Sequence, residues 1–275
     1  MDTTSQPDTG ADDAPDTTTN STVTCTHAPG SADGGAPGQW STPAAASRQV
    51  MRTVFTDIYR NNTWGGLHSV SGPGSELAQT DRIIRALPAL FRRFNIRSML
   101  DIPCGDFHWM QWVDLAGVDY IGADIVPEII DHNRTDRATR NVRFESLDLL
   151  HDPLPAVDLI LCRDCLVHFD FDAIAHTLDN IRASGSRYLL TTTFTGDRTN
   201  SDISTGGWRP LALESPPFRW PPPLQIIQEG CHEKGGAYAD KALALWRIED
   251  IETAQPQRID RGFDVADLVP RCRRR

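Results

Sequence analysis

Along this chain short apolar runs alternate with segments in which apolar residues recur every three or four positions, and that alternation sets the expected elements. From Ser47, the residues Val50, Val54, Phe55 and Ile58 fall on one face of a helix reaching Tyr59. A second helix is expected over Ser75 to Ala86, burying Leu77, Ile83, Ile84 and Leu87, with Pro88 restarting it for Leu90 and Phe91. Strands read at Ser98 to Ile102, Tyr120 to Asp124, Val142 to Phe144, Val157 to Cys162 and Tyr188 to Thr193. Between them lie a short helix near Trp109 to Leu115, a helix opened by Pro127, and a helix over Asp172 to Ser184 with Gly185 just past its end. Strands alternating with helices predict a parallel sheet. Two final runs, Leu224 to Gln228 and Ala242 to Ile248, are joined by a segment too short for a crossover helix, which predicts antiparallel pairing. The expected fold is α/β: a seven-stranded, mostly parallel sheet with helices on both faces and a C-terminal antiparallel hairpin.

Composition sets the limits of that domain. Residues 1–46 are Asp, Thr, Ser, Pro, Gly and Ala with hardly any large apolar side chain, so they read as a disordered acidic tail. They lack the charged start and apolar centre of a signal peptide. The folded domain is expected over 47–250, with 47–96 as an N-terminal helical cap. Residues 251–275 form a tail with a weak apolar cluster at Phe263, Val265 and Leu268. The formal charge is −10, but six acids fall in the first 47 residues, which hold no Lys or Arg, so the domain itself is mildly acidic. That gives no support for a nucleic-acid footprint, which usually needs a basic stripe, and Arg271 to Arg275 reads as a solvated end. No apolar run approaches the roughly 18 residues that span a membrane. Six cysteines without a secretory segment suggest reduced thiols and a cytoplasmic protein.

The chemistry centres on Ser98 to Met110, where an apolar run ends in Asp101 and breaks at Pro103 and Gly105. A strand, tight turn and helix start in this order can turn backbone N–H groups towards a ligand. Asp124 lies nineteen positions after Gly105, where a Rossmann-like unit grips ribose hydroxyls. The segment Asn61 to Ser75, rich in Gly and Ser around Trp64 and Ser71, reads equally as a ligand-facing loop or as a surface loop in which Ser75 caps the next helix.

Together these features resemble the class I, Rossmann-like methyltransferases that use S-adenosylmethionine. The family's acid and glycine-rich turn are matched by Asp101 to Gly105, its ribose acid by Asp124, and its adenine acid by Asp148 in Leu147-Asp148-Leu149. The resemblance covers roughly Ser75 to Ile248. The runs Asp101-Ile102-Pro103-Cys104-Gly105-Asp106-Phe107 and Cys162-Arg163-Asp164-Cys165-Leu166-Val167-His168-Phe169 are similar to a bacterial subfamily. The resemblance implies S-adenosylmethionine as cofactor, held by Asp101, Pro103, Gly105, Asp106, Asp124, Ile125, Asp148, Leu149 and Arg163. Where the family has Gly-x-Gly-x-Gly, this chain has Pro103 and Phe107 flanking Gly105, so the methionine end is expected to be held differently.

Methyl transfer is an in-line displacement. Alignment, worth effective molarities of about 10⁵ to 10⁸ M, outweighs a general base worth roughly 10² to 10⁴-fold. A neutral hydroxyl still benefits from a base. His168, just past the fourth strand at the carboxyl edge of the sheet, is the candidate, with Asp164 to orient it or to bind the acceptor. The bland alternatives are a histidine packed locally and an aspartate capping a turn. The segment Cys162-Arg163-Asp164-Cys165 differs from the Asn/Asp-Pro-Pro-aromatic run of nucleobase amino methyltransferases, which argues against that reaction. Acceptor contacts are expected from Trp64, Ser71, Asn200, Asp202, Trp208 and Arg209, with Trp208 stacking and Arg209 pairing with a carboxylate.

The expected reaction is O-methylation of a sugar or small-metabolite hydroxyl. Carboxyl or amine methylation, an NAD-dependent oxidoreductase and a non-catalytic binding module are the alternatives. A Mg²⁺ site from Asp164 with Asn200 or Asp202 ranks below a metal-free site, because polar loop residues usually just solvate a loop. Zinc at Cys162, Cys165, His168, Cys231 and His232 is set aside, since Cys162 should point into the core.

Overall fold

The structure, a computed structural model, describes residues 43–252, with side chains from Arg48 onwards. The segment before Pro43 and the chain beyond residue 252, including Phe263, Val265 and Leu268, lie outside the described residues. Helix α1 (Pro43–Arg60) starts ahead of the expected Ser47. Its inward face runs through Met51, Phe55 and Ile58, while Val50, expected inside, is 61% exposed. Met51 takes that place because residues four apart share a helix face. Helix α2 (Leu77–Phe94) passes straight through Pro88. The proline forfeits one helical hydrogen bond, but Ile83, Leu87, Leu90 and Phe91 are buried, and their packing outweighs it. Leu77, expected buried, is exposed at the helix start.

Seven strands follow in one sheet: β1 (Ser98–Asp101), β2 (Asp119–Asp124), β3 (Val142–Ser146), β4 (Leu159–Cys162), β5 (Tyr188–Phe194), β6 (Gln225–Gln228) and β7 (Lys241–Arg247). Their spatial order is β3-β2-β1-β4-β5-β7-β6. The first five are mutually parallel, and β7 runs antiparallel to both β5 and β6, giving the expected hairpin. Helices α3 (Pro127–Asp136) and α4 (Phe171–Ala183) complete the layers. The short helix expected near Trp109 is a single 3-10 turn, Met110–Trp112. No described helix is long and apolar enough to cross a membrane.

Alternate residues of each strand feed two cores, as the period of two demands. Met99, Leu159 and Leu161 pack with Ile83 and Leu87 of α2 and Ile130 of α3. Leu100, Ile160 and Leu189 pack with Ile174 and Leu178 of α4 and with Met51 of α1. The order of winding reverses at β1: β2 and β3 are laid down on one side of it, and the connection from β3 then crosses to β4 on the other. A crevice therefore opens beyond their carboxyl ends, where sheets of this type take ligands.

Candidate active site

Asp101 and Asp124 end β1 and β2 at this crevice and line a cleft of about 1050 Å³, its open mouth included. Both are buried. Asp101 accepts a hydrogen bond from the Tyr120 hydroxyl at 2.6 Å. Burial pushes its carboxyl up to about 7, over the opposing pull of Tyr120 and Arg163. Burial likewise raises Asp124 to about 6, against backbone N–H bonds that lower it. Two of those bonds come from Gly105 to Oδ2 at 3.1 Å and from Val126 to Oδ1 at 3.0 Å.

The turn between them does not present the free N–H groups that its sequence suggested. Pro103 has none. Cys104 N–H donates to the Ala123 carbonyl at 2.8 Å and Phe107 N–H to the Cys104 carbonyl at 3.4 Å. Gly105 N–H is on Asp124, Asp106 N–H on Ser71 Oγ at 3.1 Å, and His108 N–H on Asp106 Oδ1 at 3.3 Å. Gly105 has φ +53°, and a Cβ there would lie 2.1 Å from Ser71 Oγ. Its lack of a side chain therefore serves the overlying loop. Asp106, expected on the cofactor, pins that loop: it accepts from Ser69 Oγ at 3.0 Å, Ser71 Oγ at 3.1 Å and Val70 N–H at 3.0 Å. Phe107, also left-handed at φ +57°, sets its ring edge-on between Tyr120 and Phe144.

Ile125, Leu149 and Asp148 form another wall. The Asp148 carboxylate is turned onto its own segment, accepting Leu150 N–H at 2.9 Å and meeting His151 Nδ1 at 2.8 Å. From α1, Met51, Phe55 and Tyr59 also line the cleft, a contribution the sequence reading missed although the helix's apolar face signalled it. Ion pairs from Arg48 to Asp152 at 2.8 Å and from Arg60 to Glu128 fasten α1 in place.

At the end of β4, His168 is buried and lines the cleft with Trp64, whose ring stacks on it at 4.8 Å. His168 Nδ1 lies 2.7 Å from the Gly207 carbonyl oxygen. A carbonyl can only accept, so Nδ1 holds the proton and Nε2 the lone pair. Burial lowers the His168 pKa and keeps the ring neutral near pH 7. Asp164 does not orient this ring. It sits at φ +51°, with its carboxylate 2.6 Å from Lys241 Nζ and 3.2 Å from Arg163 Nη1. Although burial works the other way, Arg163 and Lys241 hold it far below the usual carboxylate range. Arg163 lines the cleft but is committed to Glu229, at 2.7 Å, and to the Gly74 carbonyl, at 2.8 Å. Glu229 and Lys241 are buried functional-site neighbours that the sequence reading missed; their one signal was Lys241, one of two lysines in the chain.

The other expected acceptor contacts lie elsewhere. Asn200, Asp202, Trp208 and Arg209 are not among the described lining residues of the cleft. Asn200 Nδ2 donates to the Ala212 and Pro216 carbonyls at 2.9 and 2.8 Å. Asp202 accepts the Phe171 N–H at 2.9 Å, and Trp208 packs against Tyr238 at 4.8 Å. Arg209 is buried and donates to the carbonyls of Leu166, Val167 and Phe169 at 3.2, 3.1 and 2.7 Å. This loop has no ladder of its own, so its side chains supply partners to buried backbone. Asp164, Asn200 and Asp202 are thus engaged separately. Among the described residues no group of three or more His, Cys, Asp or Glu is gathered for a metal ion.

No family model and no curated protein matches this sequence. Among solved structures, Burkholderia thailandensis 1,6-didemethyltoxoflavin-N1-methyltransferase, with bound 1,6-didemethyltoxoflavin and S-adenosylhomocysteine, is similar at 17% identity. The match covers 77% of this chain and 92% of that one, with a TM-score of 0.50. The fold is that of the Rossmann-like methyltransferases. Human N-acetylserotonin methyltransferase in complex with SAM is similar at 18% identity over 70% of this chain and 58% of its own, TM-score 0.47. The chain spans 66% of the methyltransferase domain of bacterial CtHen1, matching it over 42% of its own length at 12% identity, TM-score 0.38.

Proposed function

We propose that this chain is an S-adenosylmethionine-dependent methyltransferase acting on a hydroxyl of a small molecule, with His168 as general base. The observation that carries the reading is the closed turn beside two buried acids. Nicotinamide dinucleotides need N–H groups for their pyrophosphate, and from Cys104 to His108 every N–H is already engaged. Asp101 and Asp124 suit a ligand rich in hydroxyl, ammonium and sulfonium character instead. Each Asp124 oxygen accepts one backbone N–H and keeps a second lone pair for a ribose hydroxyl. Asp101 is half-protonated near pH 7 and would give up that proton beside an ammonium group. The methionine end is then held by carboxylate, not by a glycine-rich cradle.

The cofactor supplies a methyl group on a positively charged sulfur. The chain's part is alignment and one proton: His168 Nε2 takes it from the acceptor, and Arg209 fixes the turn that carries the imidazole. The B. thailandensis enzyme, crystallised with S-adenosylhomocysteine, lends support through its fold. The carbohydrate acceptor rested on the polar, Trp-containing loops; of the residues expected there, Asn200, Asp202, Trp208 and Arg209 are not among the described lining residues of the cleft, so that acceptor is not carried into the proposal.

Calorimetry with S-adenosylhomocysteine and with NAD tests the reading. The first should bind and the second should not; the reverse result sinks the proposal. Mass spectrometry of products formed from labelled cofactor should then find the methyl on oxygen. A carboxylate acceptor needs no base, so unimpaired turnover in His168→Ala would point to that class.

A further inference from the structure

The cleft's acceptor half has a wall chemistry of its own. Phe169, Phe55, Trp64 and His168 all line it and form an unbroken chain of ring contacts. Phe169 meets Phe55 edge-on at 6.1 Å, Phe55 meets Trp64 at 6.4 Å, and Trp64 stacks on His168 at 4.8 Å. The polar side chains nearby are already engaged: Asp164 by Lys241 and Arg163, Arg163 by Glu229, and Ser71 by Asp106. A polyol entering here would leave several hydroxyls without partners, each at the cost of its lost hydration. A flat ring loses nothing of the kind and gains stacking and edge contacts.

We infer that the acceptor is a planar aromatic hydroxyl compound, a phenol or its heteroaromatic equivalent, bound against Phe55, Trp64 and Phe169 with its oxygen at His168 Nε2. This rests on the methyltransferase reading and narrows its substrate class. The strength of the base agrees. His168 is neutral and its pKa is lowered by burial, so it is a poor match for an alkyl hydroxyl, whose pKa lies near that of water, about 16. A phenol, near 10, is about six powers of ten easier to deprotonate. In the step itself an oxygen lone pair forms the new O–C bond, the C–S bond breaks with its electron pair passing to sulfur, and the phenolic proton goes to Nε2 and then to solvent. The sum is one phenol and one sulfonium giving one aryl methyl ether, one thioether and one proton.

The test is direct binding to the full chain saturated with S-adenosylhomocysteine, with 1-naphthol and catechol as probes against methyl α-glucoside. Calorimetry should show the phenols binding at least tenfold more tightly than the glucoside. Trp64→Leu should weaken 1-naphthol about threefold to tenfold while leaving S-adenosylhomocysteine binding in place. Equal or tighter glucoside binding overturns the inference, as does 1-naphthol affinity unchanged in both Trp64→Leu and Phe55→Leu. If Trp64→Leu fails to fold, transferred NOEs in the wild-type protein decide: contacts from the Trp64 indole to naphthol protons support the pose, and their absence overturns it. Failure of S-adenosylhomocysteine to bind is a separate result and strikes the methyltransferase reading.

Discussion

At His168 a backbone carbonyl selects the tautomer, and burial keeps the ring neutral, so the one proton acceptor left in the imidazole is Nε2. His168→Ala should lower turnover by roughly 10² to 10⁴-fold while S-adenosylhomocysteine affinity stays nearly unchanged, as steady-state kinetics and calorimetry would show. Because the pKa is lowered from 6.5, the acid limb of the rate profile should lie below that value. Loss of cofactor binding along with turnover would instead mark His168 as structural. Gly105 makes a steric demand of a different kind. Alanine there keeps a left-handed φ of +53° and drives its Cβ towards Ser71 Oγ. The conformational cost is about 1 to 2 kcal/mol and the overpacking roughly 1 to 3. Gly105→Ala should therefore lower urea stability by about 2 kcal/mol or more. Combined with Ser71→Gly the loss should be less than additive, since only the steric part depends on Ser71.

Between elements, the seam that matters joins the end of β4 to β6 and β7. Arg163 follows β4, Glu229 follows β6 and Lys241 opens β7, and the three side chains are almost fully buried together. Glu229→Gln should destabilise the fold by about 3 to 5 kcal/mol, because it leaves two buried cations, Arg163 and Lys241, sharing the one carboxylate of Asp164. Arg163→Met with Glu229→Leu should restore much of that, since Asp164 and Lys241 still neutralise each other at 2.6 Å. Denaturant unfolding of both variants would decide it.

This seam was not legible in the sequence, whereas the strands it joins were. Strands covered on both faces read as uninterrupted apolar runs, and Leu159–Cys162, Gln225–Gln228 and Lys241–Arg247 fall within two residues of the expected ends. Asp101 and Asp124 were legible for the same reason, being strand-end residues, and Gly105 and His168 because they lie in the segments that follow β1 and β4. Pro88 misled because a local rule lost to the packing of α2 on the sheet. Arg209 and Asn200 misled because polarity does not reveal direction. Arg209 finds its carbonyls some forty residues earlier in the chain, at Leu166 and Phe169, and no spacing pattern encodes that.

For the molecule as a whole, two buried carboxylates with raised pKa values make stability and ligand binding respond oppositely to pH. Asp101 titrates at about 7 and Asp124 at about 6 in the folded chain, against about 3.9 when unfolded. Between about pH 4 and 7 the native state thus binds more protons than the unfolded state, and stability falls as pH rises. The contribution is complete below the unfolded value and gone above about 7. His168 opposes it, since a lowered pKa favours the native state as pH rises towards 6.5, but it is one group against two. Carboxylates with lowered values, such as Asp158 and Asp164, act only below about pH 4. A ligand that donates to Asp101 and Asp124 binds their ionised forms, so its affinity should climb with pH up to about 7. Scanning calorimetry from pH 5 to 8 should show the Tm of the free protein declining while the increment from saturating S-adenosylhomocysteine grows. Asp101→Asn should flatten both trends, because the variant keeps an acceptor for the Tyr120 hydroxyl but has no proton to lose. A Tm of the free protein that rises with pH would show that the two acids are not raised in the native state, and an increment indifferent to pH would show that they do not hold the cofactor.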